Sequence, residues 1–132
     1  MHDPRLCSLK WNDIGKLDYL VCILKKRGYI WSKKELYKLF NNPSVDDIVR
    51  WKGDKLEYLA LLLYRLYNEK YFIIKRGKGY LSYAEWYFTD FAGNKMKRKT
   101  LKYLSSEVNT NKIRYAYVHR EIDEIIALIT KK

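Results

Sequence analysis

Residues 82–91 read Ser-Tyr-Ala-Glu-Trp-Tyr-Phe-Thr-Asp-Phe, and no other stretch of the chain limits the fold as tightly. On a helix, Ala84, Tyr87, Phe88 and Phe91 share one face, and Tyr83 and Trp86 share another. A helix that is apolar around most of its circumference needs cover on two sides. The stretch therefore predicts a helix at the centre of a helical core. Rings exposed for stacking on single-stranded bases are the weaker alternative.

Ala92, Gly93 and Asn94 make a turn, and 95–109 then predicts a second helix of opposite character. Leu101, Leu104 and Val108 form its apolar stripe. Lys95, Lys99, Lys102 and Ser106 fall on the other side, flanked by Arg98 and Asn109, with Tyr103 on the margin. A recognition helix is built in this way. Lys95, Lys99 and Lys102 suit phosphate contacts, while Arg98, Ser106 and Asn109 are candidates for reading base edges. A lysine-rich solvated face with no partner fits this stretch alone equally well. With 82–91, the pair resembles a helix-turn-helix.

The chain has 132 residues, which suits one compact domain or two very small ones. Hydrophobic residues make up 48%, enough for a core. Lys and Arg number 27 against 15 Asp and Glu, giving a formal net charge of +12. Such a domain usually meets a polyanion: DNA, RNA, an acidic protein or an anionic membrane. Charge kept only for solubility is the weaker alternative. No secretory signal is evident, and the longest apolar run, 58–64, is too short to span a bilayer. Cys7 and Cys22 have neither metal-ligand nor redox spacing, and Cys22 is expected to be a small buried residue. A cytoplasmic location and no membrane partner follow as expectations.

Residues 1–10 are expected to form a short leader. Residues 15–27 predict a helix through Leu17, Leu20, Val21 and Leu24, stopped by Gly28. After an extended link at 29–31, Ser32 and Glu35 form a capping box before Leu36, Leu39 and Phe40. A short helix over 44–50, capped by Ser44, follows. At Trp51 the pattern restarts: Leu17, Leu20, Val21 and Leu24 map without gaps onto Leu56, Leu59, Ala60 and Leu63. Two pseudo-repeated halves, 1–50 and 51–132, packed as one unit, would explain this. Two amphipathic helices of similar composition would explain it as well. Residues 71–74 and 80–81 predict a β-hairpin whose basic tip carries Lys75, Arg76 and Lys78, placed as a wing to grip phosphates or as a solvated turn. Residues 117–129 predict a last helix with Ile122, Ile125, Ile126 and Ile129 in a stripe. Its outer side carries Glu121, Asp123 and Glu124, and Arg120 can pair with Glu124. The fold expected is mainly α, a helix-turn-helix or winged-helix-like bundle with one short β-hairpin.

The Trp51-x-Gly53 entry, the leucine-rich helix, the aromatic helix, the basic run from Lys99 to Ser105 and the final Arg120 to Ile126 segment together resemble a known family. They are similar to the C-terminal region of RteC-type proteins, found on conjugative transposons and other mobile elements of the Bacteroides group. The resemblance covers roughly residues 49–128 and its motifs are moderately specific. It implies a helical, winged-helix-like domain that binds promoter DNA as a transcriptional regulator, with Lys99, Thr100 and Lys102 on the recognition helix. The 75–79 insert is longer than the family's pattern, and the first half has no counterpart there.

Enzyme chemistry finds little support. His2 and His119 are the only histidines, and His119 is expected to be an exposed polar residue. No metal-ligand cluster, P-loop or dinucleotide fingerprint is present, and no cofactor is expected. Double-stranded DNA is the leading partner. The alternative is a small adaptor or inhibitor that binds a protein or nucleic-acid-processing complex through the basic and aromatic surface. A homodimer would use residues 117–129 as its seam.

Overall fold

The structure, a computed structural model, describes residues 9–11, 14–34, 36, 37, 49–52, 56–74, 80–90 and 92–131. The described chain is mainly helical. Strand β1 (Leu9–Trp11) precedes helix α1 (Ile14–Lys26) and strand β2 (Val49–Arg50). Helix α2 (Leu56–Asn68), strand β3 (Phe72–Ile74) and helix α3 (Tyr80–Tyr87) follow. Strand β4 (Phe88–Thr89), helix α4 (Arg98–Thr110) and helix α5 (Ala116–Thr130) complete the chain.

Helix α2 is central. Its leucines recur on more than one side, and Leu59, Ala60, Leu61, Leu62, Leu63 and Leu66 are all buried. A helix covered this widely needs several neighbours. It packs on α3, α4 and α5, while α1 closes against α5. One apolar cluster joins Leu17, Leu20 and Leu24 of α1 with Leu59 and Leu66 of α2, Leu101 and Val108 of α4, and Ile122, Ile125 and Ile129 of α5. The two halves expected from the sequence thus share a core.

Helices α1 and α2 end alike. Gly28 has φ +82°, and the Tyr29 N–H donates to the Leu24 carbonyl at 2.9 Å. Lys70 has φ +61°, and the Tyr71 N–H donates to the Leu66 carbonyl at 3.0 Å. Both are Schellman endings, with a left-handed residue followed by a tyrosine. Each tyrosine hydroxyl then reaches α5, Tyr29 to Glu121 at 3.2 Å and Tyr71 to Thr130. This geometry pairs Gly28 with Lys70 and Leu24 with Leu66. The ungapped sequence match instead pairs Leu24 with Leu63, so the structural correspondence runs three residues further on.

The links differ most from expectation. Strand β3 forms as expected, but it pairs antiparallel with β1, Leu9 opposite Ile74 and Trp11 opposite Phe72. Tyr80 and Leu81, the expected second hairpin strand, open α3. The hairpin is therefore replaced by a pairing with the start of the chain. Val49 and Arg50, expected at the end of a helix, form β2, which runs parallel to β4. The aromatic helix stops at Tyr87, and Phe88 continues as strand because its backbone is taken up by that pairing. Residues 88–97 consequently separate α3 from α4, a longer link than the tight turn of a helix-turn-helix. Ala84, Tyr87 and Phe88 are buried, as a central aromatic element requires.

Helix α5 buries Val118, Ile122, Ile125, Ile126 and Ile129 within the chain. The isoleucine stripe is spent on the protein's own core, which removes it as a dimer seam. Its acidic side does not face solvent unopposed. Arg27 of α1 pairs with both Glu121 and Glu124, and Arg65 of α2 pairs with Asp123 and, at 2.5 Å, with Glu69. Arg120 does not pair with Glu124; its guanidinium lies 5.7 Å from the Tyr117 ring centre. His119 is half-buried and its Nε2 donates to the Val108 carbonyl at 2.8 Å, tying α5 to α4 instead of standing exposed. Cys22 is exposed, contrary to the expected burial, because it lies off the Leu17–Leu24 stripe of α1. Among the described residues, no helix is long and apolar enough to cross a membrane.

Candidate nucleic-acid interface

Helix α4 buries Leu101, Ser105 and Val108 against α2 and α3, while Leu104 is half-buried. The core-facing stripe is thus rotated slightly from the one the leucines suggested. Arg98, Lys99, Lys102, Tyr103 and Ser106 remain exposed. Tyr103 is 62% exposed and sits near the middle of the outer face, where the sequence put it at the margin. Its hydroxyl lies 3.4 Å from the Glu107 carboxylate.

Lys95 is exposed but precedes the helix, in extended backbone bridged to Thr89. Lys97 takes the N-cap position with extended backbone and no side-chain cap. Met96 between them is buried and anchors the entry. The first amide of α4 is satisfied from elsewhere: Glu85 of α3 accepts the Arg98 N–H at 2.9 Å. Asn109, a candidate for base reading, is half-buried and donates its amide to the Ser105 carbonyl at 2.7 Å. The fold therefore gathers Lys95, Arg98, Lys99, Lys102 and Ser106 on one exposed surface and turns Asn109 inward. Lys75, Arg76 and Lys78 lie outside the described residues.

Charge pairing divides the molecule. Arg27 and Arg65 are held by carboxylates. Glu124, by hydrogen bonding, is foremost in holding the Arg27 pKa above its ordinary value, against the effect of burial. Burial also opposes the charge of Arg65, but its bonds to Glu69 and Asp123 win and raise its pKa. Lys95, Lys97, Arg98, Lys99 and Lys102 have no ion-pair partner among the described residues. Cations left solvated and clustered keep their full field for an incoming anion.

A second cationic row escaped the sequence reading. β2 and its continuation alternate: Val49 and Trp51 are buried, Arg50 is exposed and Lys52 is half-exposed. Trp51 stacks on Tyr29 with ring centres 5.0 Å apart. Arg50 and Lys52 therefore share the outward face. The Arg50 guanidinium reaches over the 90–94 turn, 3.0 Å from where a Cβ on Gly93 would lie. Gly93 has φ +89°, and the turn is closed by Asn94, whose carbonyl accepts the Asp90 N–H and whose N–H donates to the Asp90 carboxylate. Lys52 Nζ sits 4.1 Å from the ring centre of Trp31, which is 49% exposed. The apolar–cation–apolar–cation order of 49–52 is a strand signal, and read as such it would have exposed Arg50 and Lys52 as a pair.

Compared with known proteins, the chain matches no family model, no curated protein and no solved structure.

Proposed function

We propose that the protein binds double-stranded DNA through the outer face of α4 and the extended segment before it. The observation that carries this reading is the cluster of exposed cations at Lys95, Lys97, Arg98, Lys99 and Lys102, which have no ion-pair partner among the described residues, whereas Arg27 and Arg65 are tied to acids. Lys95, Lys99 and Lys102 contact phosphates in this reading, and Arg98 and Ser106 are placed to reach base edges. The resemblance to RteC-type proteins supports a regulator of a mobile element as the biological setting.

Titration against random duplex DNA at two salt concentrations, beside single-stranded DNA and RNA, tests the reading. Tight duplex binding that weakens steeply with salt is expected. The double variant Lys99→Glu, Lys102→Glu should lose it while staying folded. Wild-type affinity in that variant, or no duplex binding even at low salt, would overturn the reading.

A protein partner is the second reading. It draws on Ile113, 95% exposed, and Tyr117, 74% exposed. Tyr117 also borders a cleft of about 360 Å³ with Glu57, Tyr58, Arg114, Tyr115 and Val118. An adaptor would hold a protein in a defined complex and retain DNA only weakly and without sequence preference.

A further inference from the structure

Four short backbone segments from both halves of the chain lie side by side. Ile30 bridges Trp51 antiparallel, Arg50 pairs with Thr89 in the parallel β2–β4 ladder, and Thr89 bridges Lys95 antiparallel. The Lys52 N–H donates to the Tyr29 carbonyl at 2.7 Å, which fixes the first register. In that register Trp31 lies across from Arg50. Paired residues project to the same side of a sheet. Trp31, Arg50, Thr89 and Lys95 therefore form one cross-strand row. Ile30, Trp51, Val49 and Phe88 take the opposite side and are buried in the core.

The row is outward-facing and cationic. Trp31, Arg50 and Lys95 are exposed. Thr89, between Arg50 and Lys95 in the row, is 8% exposed. Lys52 lies over the Trp31 indole, and Lys25 Nζ donates to the Trp31 carbonyl at 2.8 Å. At its Lys95 end the row runs directly into Lys97 and Arg98 of the α4 surface.

We infer that this row is a binding surface for an unpaired nucleotide of a DNA strand whose duplex part is held on α4. The inference rests on the duplex-binding reading and extends it. Phosphate attraction alone would be served by lysines and arginines. A half-exposed indole at the far end of a cationic row adds a flat apolar surface, which is useful where a base has left the helical stack. Bases inside a duplex cover each other's faces; an unpaired one offers its face to an aromatic ring, with flanking cations on the adjoining phosphates. The ring's present occupant, the Lys52 ammonium, is a weakly held neighbour at an exposed site that a base can displace and that then meets a phosphate.

The test compares a blunt duplex with the same duplex carrying a short oligothymidine overhang. For the wild-type protein the overhang should tighten binding about tenfold, a modest value for one stacked base. Trp31→Ala should abolish that gain and leave blunt-duplex affinity unchanged, and Trp31→Phe should restore most of it. The inference is overturned if blunt duplex binds tightly and the overhang adds nothing, or if the gain survives Trp31→Ala. Failure of the blunt duplex to bind at all would remove the duplex reading. The row would then be judged on single-stranded oligothymidine alone, which must bind the wild type and weaken on Trp31→Ala.

Discussion

The carboxylate of Glu85, on the aromatic helix, accepts the backbone N–H of Arg98, the first residue of the basic helix, at 2.9 Å. The contact does the work of an N-cap that Lys97 cannot supply. It also places a negative charge at the positive end of the helix. Because the acceptor belongs to another helix, it also fixes how the basic helix sits on the core. Glu85→Ala should cost about 1 kcal/mol, the usual loss when an N-terminal cap is removed. Glu85→Gln keeps an acceptor and should cost less. Urea midpoints for the three proteins check the order. Equal midpoints would mean that the contact does not hold the helix.

The ending of α1 allows a backbone effect to be isolated. Gly28 has φ +82°, and a Cβ built there meets nothing within 4 Å. Gly28→Ala therefore creates no clash, and its whole cost is the left-handed conformation, about 1 kcal/mol. Thermal or urea unfolding reads this directly. Lys70 holds the same place after α2 at φ +61°, so the fold tolerates a side chain there at a cost. Gly28→Lys should consequently fold, with stability near that of Gly28→Ala.

These two sites also show which parts of the fold were legible in the sequence. The helices carry a local 3.6-residue signal, and Leu17, Leu20, Val21 and Leu24, or Ile122, Ile125, Ile126 and Ile129, announce their buried faces without reference to the rest of the chain. Gly28 was equally readable as a stop. The links carry no such signal. Arg50 becomes strand because it meets Thr89, and Phe72 because it meets Trp11, partners far away in sequence. The four-residue alternation at 49–52 is the one local hint among them, and it names no partner strand. Pairings across the fold likewise decided the charges. Glu124 had a local candidate in Arg120 but is held by Arg27, whose reach across from α1 only tertiary packing provides. On the basic helix, Lys99 and Lys102 were placed correctly by periodicity alone. Asn109, expected on the flank of that face, is half-buried there, and its amide bonds back to its own helix, which periodicity does not show.

Tyr29 predicts an alkaline response. Burial, foremost, and then the negative charge of Glu121 push its pKa above the ordinary tyrosine value. Its hydroxyl donates to Glu121 only while protonated. The folded state thus binds the phenolic proton more tightly than the unfolded chain. The stability this provides is complete below about pH 10, the ordinary tyrosine value, and declines as pH rises beyond it. Tyr29→Phe should be destabilising by about 1 kcal/mol near neutral pH, through the lost hydrogen bond. That deficit should shrink at about pH 11, where the wild type is losing the contribution. A deficit independent of pH would show that the hydroxyl is not the group responsible.

Cations already held by acids and cations left open to solvent should respond differently to removal. Lys99 and Lys102 are exposed on α4, with no acid against them among the described residues. Arg27 is held between Glu121 and Glu124. If the α4 face neutralises phosphates, Lys99→Ala and Lys102→Ala should each weaken duplex binding on all sequences and shallow the log–log salt slope by about one. Arg27→Ala should leave that slope alone and lower stability instead, since it strands two neighbouring carboxylates. Arg98→Ala should behave differently again. If its guanidinium reads a base edge, the loss should be about 1–3 kcal/mol on the preferred site and smaller on random duplex. Asn109→Ala should change sequence preference little, because its amide already serves the Ser105 carbonyl. Binding isotherms for the five variants at three or more salt concentrations decide among these. A slope unchanged in both lysine variants would remove α4 from the DNA contact.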